Sequence, residues 1–298
     1  MEILRSVLGI AITVFAVTST LSVGLRYTLR QLIGPLDNVA AVIRALLANF
    51  VLVPLLVFGI VRLIPLDGPL AIGLIVLATA AGAPVMLKLT QVAGANVGLS
   101  ATLLVLLLPV TIIYMPIVVP LVVPGAVVGA AGIARPLGLT MLLPLALGLA
   151  VRACLERAAR RLQPIMGWSA NIALVVVLVS TIVVNFHDLL DVVGKGAILA
   201  ALLFIGGAFV IGSLLGGGDR DARIVLGLGT AQRNIAAAMV VAGQSINDAS
   251  ALVMAVVVSM VSVLLFPLAA ALRRRRPGHA AAQADRDATR PPEKDAAA

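Results

Sequence analysis

Nine times between residues 7 and 272 the chain runs for about twenty residues with almost no charge, the length a helix needs to cross the hydrocarbon of a bilayer. The stretches are 7–25, 38–64, 69–90, 96–124, 137–155, 164–186, 196–217, 222–245 and 249–272. They predict an all-α polytopic membrane protein with nine transmembrane helices. Composition removes the alternatives. Of 298 residues, 61% are hydrophobic and 12% charged, against about 45–50% and about 25% in soluble domains. The apolar bulk is Ala, Val and Leu, without the period-two alternation of an outer-membrane barrel.

Basic residues set the expected orientation. One side gathers Arg26, Arg30, Lys88, Arg152, Arg157, Arg160, Arg161, Arg220, Arg223 and Arg273 to Arg276, and the other only Arg5, Arg62, Arg135 and Lys195. The first side is expected to be cytoplasmic, which puts the N-terminus outside and the C-terminus inside a bacterial inner (plasma) membrane. Residues 273–298 are polar and rich in Ala, Pro and charge, and are expected to form a disordered cytoplasmic tail. Glu2 and the lack of a small-x-small site argue against a cleaved signal peptide. The formal charge of +9 lies mostly in loops and tail. It predicts contact with membrane lipid and no nucleic-acid partner. Cys154 reads as a free thiol. His187, His279 and one cysteine make no metal site. Nothing in the sequence signals an oligomeric state.

Two spans are interrupted. The third reads IGLIVLATAAGAPVMLKLTQ, with Thr79, Gly82 and Pro84 in its middle. The eighth reads ARIVLGLGTAQRNIAAAMVV, with Thr230, Gln232, Arg233 and Asn234 after two glycines. Every backbone donor and acceptor must be satisfied in lipid, so such clusters predict breaks lined by protein or water. Each broken span is followed by one long span. Residues 126–272 would then form a five-helix unit, and residues 1–125 the same unit lacking its first helix. Paired breaks in matching positions are the sequence sign of an inverted-repeat transporter.

A half-helix starting at a break points a positive dipole end into the membrane. Two such ends with Arg233 would favour an anion at their crossing. An unpaired arginine at that depth costs about 2.5 kcal/mol or more. A carboxylate substrate, carbonyls at the half-helix ends, or water must offset it. No Asp or Glu lies in the middle of any span, so no acid there can neutralise Arg233, carry a proton or bind Na⁺. The same absence of mid-membrane His, Asp and Glu argues against an intramembrane enzyme. The expected site at the breaks comprises Thr79, Thr230, Gln232, Arg233 and Asn234. Lys88 is expected to reach the cytoplasmic surface. Ser100 and Thr102 read as packing residues.

GTAQRNIAAAMVVAG (229–243), RALLANFVLVPLL (44–56) and GANVGLSATLLVLLLPVTIIYMPIVVPLVVPG (94–125) resemble the bile acid:sodium symporter family, in order, within residues 7–272. The resemblance implies an inverted five-plus-five repeat divided into a core domain, with two crossing broken helices, and a panel domain. A nine-span version without the first helix agrees with the count. It also implies secondary transport of a small organic anion by alternating access, with Na⁺ as the coupling ion. In family members the eighth-span motif Glu-Thr-Gly-x-Gln-Asn and a Gln before a proline in the second span hold sodium. Here Gln232 matches the motif's Gln and Asn49, five residues before Pro54, matches the other. Arg233 stands on the Asn position, and Leu228 or Gly227 on the Glu position. The family's Ser-Asn pair after the first break is replaced by Pro84, Val85 and Met86. Two expectations follow for the cation. Either the Arg233 charge replaces a sodium ion, or neutral oxygens of Asn49, Thr79, Thr230 and Gln232 with backbone carbonyls still hold one Na⁺. An arsenite-type metalloid exporter of the same fold is the alternative function. It would use a thiol within a span, whereas Cys154 falls at a helix end.

Overall fold

The structure, a computed structural model, describes residues 2–28, 38–123, 129–184, 196–246 and 249–274. The expected tail beyond Arg274 lies outside the described residues. Among these residues twelve helical segments follow in order: α1 (Glu2–Arg26), α2 (Val39–Leu63), α3 (Gly68–Thr79), α4 (Met86–Val92), α5 (Val97–Val122), α6 (Ala130–Cys154), α7 (Glu156–Val184), α8 (Ala197–Leu215), α9 (Arg220–Ala231), α10 (Ile235–Val240, running on into a π turn over Val241–Ile246), α11 (Ala249–Ser262) and α12 (Leu265–Arg274). No strand occurs among the described residues.

Among the described residues seven runs are long and apolar enough to cross a membrane: Ser6–Arg26, Val39–Leu63, Val97–Val122, Ala130–Cys154, Ala197–Leu215, Arg220–Gly243 and Ala251–Arg274. The nine expected spans therefore meet seven here, and the difference falls on the third and the sixth. The third span is two short helices, α3 and α4, parted by the six non-helical residues Ala80 to Val85. The sixth lies within α7, which runs without a charge from Leu162 to Val184 but is not one of the seven.

Prolines shape the spans without ending them. Pro54 has no N–H. Just before it α2 widens into a π turn over Ala48–Leu52, with the Val53 N–H reaching Ala48 O. The Phe50 carbonyl loses its helical partner at Pro54, and such a group must be satisfied inside the protein. The Tyr114 hydroxyl replaces that partner, donating to Phe50 O at 2.7 Å. The same π turn precedes Pro144 in α6, over Gly138–Leu142. Helix α5 keeps Pro109, Pro116 and Pro120 inside one continuous run.

Helix α1 packs mainly on α6 and α7. Gly24 and Gly148 let the α1 and α6 backbones touch: a Cβ on Gly24 would stand 2.5 Å from the Leu145 carbonyl oxygen. Small residues at such crossings replace the hydrophobic drive that lipid does not provide. A second group forms around the breaks. Helix α9 folds back on α8. Asp219 caps its first turn, accepting from Ala222 N at 2.8 Å. Helix α11 lies against α3. Ile10, Leu121 and Leu214 on the outside are exposed, as lipid-facing residues should be. The stretch from α9 into α10 differs, being buried on nearly every side.

Candidate functional site

The two breaks meet. After α3 the chain leaves the helix at Ala80–Ala83 and turns through Pro84 and Val85 into α4, and after α9 it leaves the helix at Gln232–Asn234. The Asn234 N–H donates to the Ala80 carbonyl at 2.9 Å, joining one backbone to the other. The Asn234 amide donates to Gly82 O at 3.2 Å, and its Oδ1 accepts from Ala237 N at 3.1 Å, which caps α10. Gly82 has φ of +76°, and a Cβ there would lie 2.8 Å from the Leu108 nitrogen. Only glycine fits such a turn. Thr111 pins the first break from α5. Its Oγ1 accepts from Ala81 N and donates to Ala81 O, both at 3.0 Å.

Arg233 lies at the centre, 1% exposed. Its Nε donates to Leu77 O at 3.1 Å and its Nη2 to Ala78 O at 2.5 Å, both carbonyls in the last turn of α3. Its Nη1 donates to Asn49 Oδ1 at 3.0 Å and to Thr230 O at 3.3 Å, the latter near the end of α9. Carbonyls in the last turn of a helix lack helical donors and carry the negative dipole end. The guanidinium is thus spent on the C-terminal ends of two half-helices, the carbonyl-capping arrangement. No Asp or Glu is among the buried described residues.

The other expected residues divide. Asn49 is fully buried and faces the crossing. Its Nδ2 donates to Ala45 O at 3.0 Å and to Thr230 Oγ1 at 3.1 Å. Thr230 therefore belongs to the cluster. Thr79 sits beside it, but its hydroxyl only donates back to Val76 O, at 2.7 Å, a bond within its own helical turn. Gln232 is 3% exposed, and its side chain makes no hydrogen bond to a described residue. Ser100 and Thr102 stay in packing, Ser100 accepting from the Thr90 hydroxyl at 3.0 Å.

A cavity of about 330 Å³ opens beside the first break. Ser19, Ser22 and Arg26 of α1 line it, with Gln163, Trp168 and Asn171 of α7 and Pro84, Val85 and Lys88 at the turn into α4. Gln163 Nε2 donates to Ser22 Oγ at 3.3 Å. The Arg26 guanidinium carbon sits 5.7 Å from the Tyr27 ring centroid. Burial pushes the Tyr27 phenol above its ordinary value, against the opposing charge of Arg26, so the phenol stays neutral at pH 7. With Arg26 and Lys88 and no acid in its lining, the cavity is positive. Lys88 is indeed exposed, and it also lines this chamber.

Comparison with known families gives one match. The model of the sodium bile acid symporter family matches residues 11–192. This chain belongs to that family. It is therefore an integral membrane transporter, of a family that carries organic anions such as bile acids, and not an enzyme. The matched residues contain the first break, and the second lies beyond them. No curated protein matches the chain.

Sequence reasoning missed Thr111 and the chamber. A threonine two residues after Pro109 is the one local sign of the first. The second is built from three segments distant in sequence, and no local pattern marks it.

Proposed function

We propose that this chain is a secondary transporter of a small organic anion, working by alternating access between the α1, α6 and α7 group and the helices around the breaks. The observation that carries the reading is the position of the basic chamber. Helices α1 and α7 form one wall and the α3–α4 break forms another, so relative movement of the two groups opens or closes it. Its polar groups lie beside an apolar wall that includes Trp168, the make-up expected of a pocket for an amphipathic carboxylate. Its volume suits a small substrate, since ligand pockets run from about 300 Å³ upward.

Nine spans follow if the α3–α4 pair and α7 are each counted with the seven long apolar runs. Residues 1–125 and 126–272 then form the two inverted repeats. The N-terminus would be outside, and the chamber would open toward the cytoplasm of a bacterial inner membrane, the side that collects most basic residues. The metalloid-exporter alternative has less support, because Cys154 is exposed at the end of α6, away from the crossing.

Uptake into proteoliposomes tests the reading. Lys88→Gln and Arg26→Gln are each expected to raise KM for a carboxylate substrate about tenfold, the effect of losing about 1.4 kcal/mol of binding. The maximal rate should change little, since neither residue touches the crossing. An unchanged KM in both variants would remove the chamber from the transport path.

A further inference from the structure

We propose that Arg233 is a resident cation, seated where a transporter of this design would otherwise hold an alkali ion, so that this chain moves its anion without sodium. The proposal rests on the transport reading above and concerns how that transport is driven.

The groups around the guanidinium are the reason. They are all oxygens: the carbonyls of Leu77, Ala78 and Thr230, and Asn49 Oδ1. Three come from half-helix C-terminal ends. In broken-helix transporters such ends and unwound carbonyls are the groups that coordinate Na⁺. A guanidinium has five N–H donors and no acceptor, and keeps its charge in proteins. Here four donated hydrogen bonds take up the cage. The donor arm belongs to the second break and two of the acceptors to the helix end at the first. Arg233 therefore makes the link between the halves that a bridging ion would make. An added cation would meet a like charge at contact distance, with no buried acid among the described residues to offset it.

A bound ion can leave when the carrier turns, and its gradient then does work. A tethered guanidinium cannot leave. With the cage permanently filled there is no ion to move, and the anion runs down its own gradient or exchanges for another.

Sodium-22 binding and thermal unfolding of the purified chain decide the matter without a known substrate. For the wild type, NaCl and choline chloride at equal ionic strength should give the same Tm, and sodium-22 binding should stay at background. Saturable sodium-22 binding, or a rise in Tm with Na⁺, would overturn the proposal. Arg233→Gln empties the cage of charge while leaving an amide, and Na⁺ should then raise its Tm relative to choline. A folded Arg233→Gln chain indifferent to Na⁺ would show that the cage is no ion's place, and would overturn it equally. If that variant does not fold, the wild-type result decides alone. Failure of proteoliposomes to move any anion would instead sink the transport reading and leave the sodium result standing.

Discussion

The two breaks differ in what they bring to their meeting. The first, Ala80–Ala83, is made of alanine and glycine and offers backbone only. Carbonyls of Leu77, Ala78, Ala80 and Gly82 all point to the second break as acceptors. The second, Gln232–Asn234, is polar and offers donors from a guanidinium, an amide and a peptide N–H. The two breaks are thus alike in place and opposite in chemistry. One half supplies partial negative charge and the other the positive charge that satisfies it. A crossing that depended on backbone ends alone would need an ion or water to join them. This one is closed by the protein itself.

That contrast can be broken from either side. The largest effect is expected from Arg233→Ala. It strips the donor from four acceptors in a buried site, and each buried polar group left unsatisfied costs about 1–3 kcal/mol. A loss of about 3 kcal/mol or more is expected, read as a large drop in Tm in detergent and poor recovery from membranes. A variant of wild-type stability would mean that water already serves those carbonyls. Gly82→Ala attacks the acceptor half. It forces a side chain into a left-handed turn and against the Leu108 nitrogen. Strain of that kind costs about 2 kcal/mol. Unfolding measurements should place this variant between the arginine change and the mildest one, Thr111→Val. The valine keeps the shape and removes both bonds to Ala81. A loss of about 1–2 kcal/mol is expected, and Thr111→Ser should recover most of it. If Thr111→Val proved more harmful than Arg233→Ala, the first break would be held from α5 and not by its partner.

Much of this was legible in the chain order. Gly82 with Pro84, and Arg233 between two amides, mark interruptions because nothing else explains such residues inside apolar runs. Asn49 came from the family resemblance, which sets it before Pro54, and its side chain does reach the crossing. The direction of the guanidinium was not legible. Its acceptors at Leu77 and Ala78 lie 156 and 155 residues away, and a carbonyl is the same atom in every residue, so sequence cannot say which will be free. Thr79 and Thr230 look alike in sequence. Only packing separates them, one bonded to its own turn and the other to Asn49. The span count diverged for a related reason. Both breaks divide a helix, but Ala80 to Val85 part α3 from α4 by six residues, whereas only Gln232–Asn234 interrupt the eighth span, so α3 stands alone at 12 residues and is too short to cross.

The run that carries Arg233 is the least apolar of the seven long ones, and the one most nearly enclosed by protein. Leaving the translocon, such a segment gains little from lipid, and its guanidinium resists partition until acceptors are at hand. Those acceptors belong to a helix made much earlier in synthesis. The nascent α9–α10 must therefore wait beside an already inserted α3, and settling of the two together would be the step on which biogenesis of the whole bundle turns.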